Sequence, residues 1–172
     1  VSILGGSGEQ SQRVKTHIEG FWNYPTAPRQ LLKGDVAREM RFHGGNTIEV
    51  LLASTRSARG GHPQRLLLDE IDEMDLGILD AATGQPMQAG SDVPTQTVMS
   101  STHQYADGTM TEILKRAAAK GWGQHVWCYR ENLKPHGWLD PLEVERKRGD
   151  VTSGMWETEY ELNRKGGSLH IF

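Results

Sequence analysis

Along the chain, apolar positions come in short runs parted by glycine- and proline-rich stretches. Their spacing alternates between strand-like and helix-like. Residues 1–4 (Val-Ser-Ile-Leu) read as a strand, and Gly5-Gly6-Ser7-Gly8 turns out of it. Ser7 and Gln10 have capping-box spacing, which predicts a helix from Ser7 with Val14, Ile18 and Phe21 on its inward face. Pro25 and Pro28 end it, and residues up to Lys33 read as a connection. Residues 38–42 and 47–52 form two strands about a Gly44-Gly45-Asn46 turn. A polar loop at 54–63 leads to the run Leu66-Leu67-Leu68, the pattern of a strand buried on both faces of a parallel sheet. Residues 77–94 are rich in Gly and Pro, with a short helix at 79–82, and residues 95–102 make a strand that turns from apolar to polar. Beyond it the pattern predicts helices at 108–120, 141–148 and 153–162, and a strand at 125–129. Met110, Ile113, Leu114 and Ala117 face inward in the first of these helices; Met155, Trp156, Tyr160 and Leu162 do so in the last. Strands and helices in this order imply an α/β fold with a mostly parallel sheet flanked by helices.

Composition narrows the class without choosing within it. A length of 172 residues fits one domain, 1–172, and 36% hydrophobic with 24% charged residues describes a globular chain. A net charge of -3 supplies no global attraction to nucleic acid, so contact with DNA needs a local basic face. One cysteine, Cys128, excludes an internal disulfide and reads as a buried, inert thiol. The seven histidines include no pair with helical metal-ligand spacing beside a carboxylate, so a zinc site is not expected. Trp122, Trp127, Trp138 and Trp156 read as core anchors. Gly-x-Ser-x-Gly is missing, which sets aside a serine hydrolase. No apolar run is long enough for a membrane span.

Chemistry concentrates at residues 65–75, where the apolar run ends in Asp69 and Glu70, followed by Asp72, Glu73 and Asp75. Carboxylates crowded at the carboxyl end of a buried strand repel one another unless a cation or bound water uses them. The pattern is that of a Walker B strand, whose first acid serves Mg²⁺ and whose second orients the attacking water. It equally fits a buried strand running into a solvated, acidic helix start. Three hydroxyls, Ser100, Ser101 and Thr102, tip the following strand, where they suit a γ-phosphate or its water, or else bond local backbone groups. Gly5 to Gln10 lacks the Gly-Lys-[Ser/Thr] ending of a phosphate loop and reads as an ordinary strand-to-helix turn.

Four stretches together resemble the ATPase domain of the large terminase subunit, the DNA-packaging motor of tailed bacteriophages. They are residues 5–11, the loop from Ala53-Ser54 through Arg59-Gly60-Gly61-His62-Pro63, Leu66-Leu67-Leu68-Asp69-Glu70, and Ser100-Ser101-Thr102-His103-Gln104. The resemblance implies a P-loop NTPase-type fold, incomplete at its amino terminus, with ATP and Mg²⁺ as cofactors. It implies that Asp69 is the Mg²⁺-associated acid and Glu70 the catalytic carboxylate. Ser100, Ser101 and Thr102 would form the segment coupling hydrolysis to DNA movement. Arg59 would reach a phosphate, or else order its own loop. Double-stranded DNA, a portal, a small terminase subunit and further copies of the chain would be the partners, in the host cytoplasm.

The family's Walker A loop would precede Val1 and its nuclease domain would follow Phe172, so this chain is expected to be the middle of a larger protein. Very weak ATP binding by the chain alone follows from that expectation. Two other readings stay open. Asp69-Glu70-Ile71-Asp72 also fits a DExD-type helicase core, and a non-catalytic structural or docking domain needs none of this chemistry.

Overall fold

The computed structural model describes residues 1–36, 38–54, 56–59, 62–88 and 92–162. Two compact units divide the chain, Val1–Ser101 and Thr102–Phe172. The first holds a six-stranded sheet. In chain order it runs β1 (Ser2–Gly5), α1 (Gly8–Phe21), β2 (Leu32–Val36), β3 (Glu39–Phe42), β4 (Thr47–Leu52), β5 (Arg65–Asp69), α2 (Leu76–Thr83) and β6 (Gln96–Ser100). The strand order is β2-β3-β4-β1-β5-β6. Strands β4, β1, β5 and β6 are mutually parallel, while β2 and β3 continue the sheet antiparallel beyond β4.

The connections decide which side each helix covers. A Cβ built on Gly5 would lie 2.8 Å from Ser11 N and Oγ, so the Gly5 face of the sheet meets α1. Side chains alternate along a strand, so Leu4 points the other way. There it shares a small cavity with Leu66, Ala58 and Ala82, the last of these on α2. Helix α1 and helix α2 therefore cover opposite faces. The chain leaves β1 toward β4 and leaves β5 toward β6, and the carboxyl ends of β1 and β5 flank a topological switch point. Ile3, Leu4, Val50, Leu66, Leu68, Ile71 and Leu79 fill the core of this unit.

Helix α1 starts as its sequence predicts: Ser7 caps it, and Ser7 and Gln10 exchange side chain-to-backbone hydrogen bonds. Its inward face differs from the apolar reading. Phe21 is 62% exposed, and the buried positions are Ser11 and Lys15. Ser11 Oγ accepts from Gly5 N–H at 2.9 Å and donates to the Leu51 carbonyl at 2.8 Å. Lys15, 3% exposed, reaches Asp35 of β2 at 2.7 Å and also binds Glu19. Polar side chains with partners across the gap replace the apolar stripe, which a periodicity count cannot anticipate.

Burial alone would lower the pKa of Lys15, but the hydrogen bonds and charges of Asp35 and Glu19 outweigh it and leave the ammonium above its ordinary value. A raised folded-state pKa means the protonated pair stabilises the fold below the unfolded value, near 10.4. That contribution should be constant from neutral pH to about 10 and fall away as pH rises through the folded value. Urea midpoints across pH 8–11 would read it as a loss that Lys15→Met does not share.

The second unit contains α3 (Thr109–Lys120), α4 (Pro141–Asp150) and α5 (Ser153–Met155), which runs on into a π-turn at Trp156–Tyr160. Ile113 and Ala117 are buried on α3, and Gly121 ends it in the left-handed conformation, as the pattern predicts. Pro141 opens α4 behind the Asp140 cap. The expected strand at 125–129 does not form. No described strand pairs with it, and Val126 is largely exposed. Cys128 accordingly lies half-buried at the head of a 3-10 turn, Tyr129–Asn132, instead of inside a sheet. Of the four tryptophans read as core anchors only Trp156 is buried, stacked on Tyr160 with ring centroids 4.4 Å apart. Trp122, Trp127 and Trp138 are exposed, the last by 76%. Within the α5 segment Met155 is exposed while Tyr160 and Leu162 are half-buried.

Candidate functional site at the carboxyl rim

The acids and hydroxyls singled out in the sequence meet at the carboxyl ends of the parallel strands. Asp69 closes β5 in register with Gly5 of β1 on one side and Ser100 of β6 on the other. Ser100 Oγ donates to Asp69 Oδ1 at 2.7 Å, a charge-assisted bond that fixes one carboxylate oxygen and leaves the other to a ligand. One residue on, Ser101 Oγ accepts from the Asp72 backbone N–H at 3.1 Å, tying the tip of β6 to the turn that follows β5. The expectation that β6 is a central strand is not met. It is the last strand in the order, and its side chains alternate between exposed and half-buried.

Glu70 has an unusual backbone. Its φ of 55° and ψ of 50° lie in the left-handed region, which non-glycine residues rarely enter without a local reason. The turn reverses direction here: the Glu70 carbonyl accepts from Glu73 N–H at 3.0 Å, and Ile71–Glu73 forms one 3-10 turn. Strain of this kind gathers where a side chain must be aimed against local preference. Asp72 is buried, and Asp75 caps α2 by accepting from Gly77 and Ile78 N–H. Part of the acidic run therefore serves the fold.

The Gly5-Gly6-Ser7 turn lies against this acidic turn. A Cβ on Gly6 would come 3.1 Å from Glu73 Cβ and 3.4 Å from the Glu70 carbonyl. The amides of the turn are engaged internally, Gly5 N–H by Ser11 Oγ and Ser7 N–H by Gln10 Oε1 at 2.7 Å. It is a strand-to-helix turn and offers no phosphate cradle. Its closeness to Glu70 escaped the sequence reading, although the paired glycines carried the signal.

Two predicted site residues stand apart from this constellation. Arg59 lies in the 3-10 turn Ser57–Arg59 of the connection from β4 to β5, exposed, and it forms no ion pair among the described residues. The neighbouring Gly60 and Gly61 lie outside the described residues. Thr102 begins the second unit, where its Oγ1 accepts from the Gln104 side-chain amide at 3.1 Å.

No group of three His, Cys, Asp or Glu side chains among the described residues is arranged to hold a metal ion alone. Mg²⁺ needs less than that. In nucleotide sites it keeps several waters and takes one or two carboxylates together with phosphate oxygens. Asp69 with the Ser100 hydroxyl fits such a role. The described residues place no lysine or free amide loop to receive a triphosphate, so the site fits the cation and not the phosphate chain.

No protein-family model matches this sequence, and no curated protein matches it. Solved structures do match. The large terminase of a thermophilic bacteriophage superposes with a TM-score of 0.64 at 14% identity, over 91% of this chain and 38% of that one. Another crystal form of the same terminase, in complex with ADP, gives a TM-score of 0.62 at 15% identity over the same shares. The fold is that of a phage large terminase. It is a mixed α/β sheet of the P-loop NTPase type flanked by helices, as the sequence implied. The chain spans 38% of the length of the terminase structures it matches. Among the described residues no helix is long and apolar enough to cross a membrane.

Proposed function

We propose that this chain forms part of an ATP-hydrolysing, DNA-packaging motor of the large terminase kind. One observation carries the reading: an acid and a hydroxyl from adjacent parallel strands, Asp69 and Ser100, are hydrogen-bonded at the carboxyl rim of a terminase-like sheet, beside its switch point. In this reading Asp69 holds the Mg²⁺ of a bound ATP, directly or through water. The metal's part is to neutralise charge on the transferred phosphoryl group. Glu70 aims its carboxylate from the strained turn at the attacking water and accepts its proton. Ser100 keeps Asp69 oriented, and Ser101 passes any movement of the β6 tip to the Asp72 backbone. Arg59 reaches toward phosphate from the preceding connection, and Thr102 continues the hydroxyl series. Double-stranded DNA is the substrate that is moved, into a procapsid in the host cytoplasm. Further copies of the chain, a portal and a small terminase subunit act as partners. The likeness to a structure that holds ADP supports nucleotide as the ligand.

Measured on the intact gene product, ATP turnover should require Mg²⁺ and rise on adding duplex DNA, with no separation of its strands. Strand displacement would favour the helicase reading, and absence of turnover would leave only a structural or docking role.

A further inference from the structure

A second cleft lies at the opposite end of the same sheet. The turn between β3 and β4 and the bulged start of β2 enclose about 240 Å³, lined among others by Lys33, Arg41, Phe42, His43, Asn46 and Thr47. β4 begins at Thr47, so this cleft sits at the amino rim of the parallel strands, away from Asp69 and Ser100.

Its charge is arranged by backbone irregularity. Between Leu32↔Phe42 and Gly34↔Arg41 the register of β2 on β3 shifts, which leaves Lys33 as the extra residue of a bulge. Bulges re-aim side chains, and this one puts Lys33 among the residues of the cleft that Arg41 also lines. Lys33 has no carboxylate partner among the described residues. Arg41 has one: Nε and Nη2 both bind Glu39 Oε2, at 2.9 and 2.7 Å, which orients the guanidinium and leaves Nη1 over. Asp35, the other acid of the hairpin, is taken up by Lys15. Asn46 and Thr47 add neutral hydrogen-bonding groups. Gly44 and Gly45, at φ 97° and 82°, let a ligand approach the backbone without a Cβ between.

We propose that this cleft binds the phosphodiester backbone of duplex DNA, through Lys33 and Arg41 with support from Asn46 and Thr47. The identity of the partner rests on the motor reading above, while the site rests on the bulge and the charges. A single lysine and a fork-shaped guanidinium on adjacent strands suit successive phosphates, and they read no base. The sheet then engages nucleotide at one rim and the polymer at the other.

Fluorescence anisotropy of a labelled duplex with the intact protein, without ATP, tests this. Lys33→Glu should weaken binding about tenfold and flatten the dependence of log K on log salt by about one phosphate contact. Glu39→Gln removes the competing carboxylate and should tighten binding several-fold, a gain that misfolding cannot imitate. Lys147→Glu on α4 makes the same charge change elsewhere and should alter affinity far less. The proposal is overturned if Lys33→Glu matches wild type, or if Lys147→Glu weakens binding as much. Duplex-stimulated turnover persisting in a Lys33→Glu protein of unchanged affinity would reject the cleft and keep the motor. Cleft-dependent binding without any turnover would do the reverse.

Discussion

Glu70→Gln in the intact protein should lower ATP turnover by two to four orders of magnitude, the range for removing a general base, while nucleotide affinity stays within a few-fold. The amide keeps the size and the turn but cannot accept the proton of the attacking water. Near-normal turnover would remove Glu70 from the proposed role. A companion variant separates chemistry from conformation. Because Glu70 sits at φ 55°, Glu70→Gly should be equally inactive yet no less stable, with a gain on the order of 0.5–1 kcal/mol from relieved strain. An inactive variant that resists urea better than wild type would mean the turn is held for the sake of the side chain. Lower stability of Glu70→Gly would show that the left-handed turn stores no strain.

The second large effect is expected at Gly5→Ala. The added methyl would lie 2.8 Å from both the backbone nitrogen and the hydroxyl of Ser11, closer than real Cβ contacts come. The hydroxyl belongs to a buried network that joins β1, α1 and β4. Overpacking at such a junction typically costs about 1–3 kcal/mol, and backbone on one side of the clash places this case at the upper end, about 3 kcal/mol. Trimming the hydroxyl in Gly5→Ala/Ser11→Ala should recover only part of the loss, since the nitrogen remains. Full recovery in denaturant midpoints would mean that the side chain, not the close approach of helix to strand, forbids a Cβ there.

Elements whose own residues dictate them could be read from the chain. The Ser7-Gln10 capping box, the Leu66–Leu68 run, the Gly44-Gly45 turn and the Gly121 stop each carry a local cause, and each recurs in the structure. Elements that depend on a distant partner could not. β2 has a glycine at its centre and becomes a strand only because β3 pairs with it. The apolar stretch at 125–129 has the composition of a strand but lacks a neighbour among the described residues. The same division runs through the site. Asp69 and Ser100 could be placed at one rim because both end apolar runs that fit adjacent parallel strands. Nothing local announced the left-handed turn at Glu70 or the burial of Lys15, which follow from how the chain reverses and from an acid twenty residues away.

The two margins of the sheet are unlike. On the β2 side the bulge and the charged Lys33 break the row of amides and carbonyls that a stray chain would need to zip onto. Gln96-Thr97-Val98-Met99-Ser100 has no charge, proline or bulge, and Val98 is 45% exposed. Growth of this sheet by another strand, whether from the same polypeptide or from a foreign one, is therefore disfavoured at one border and open at the other.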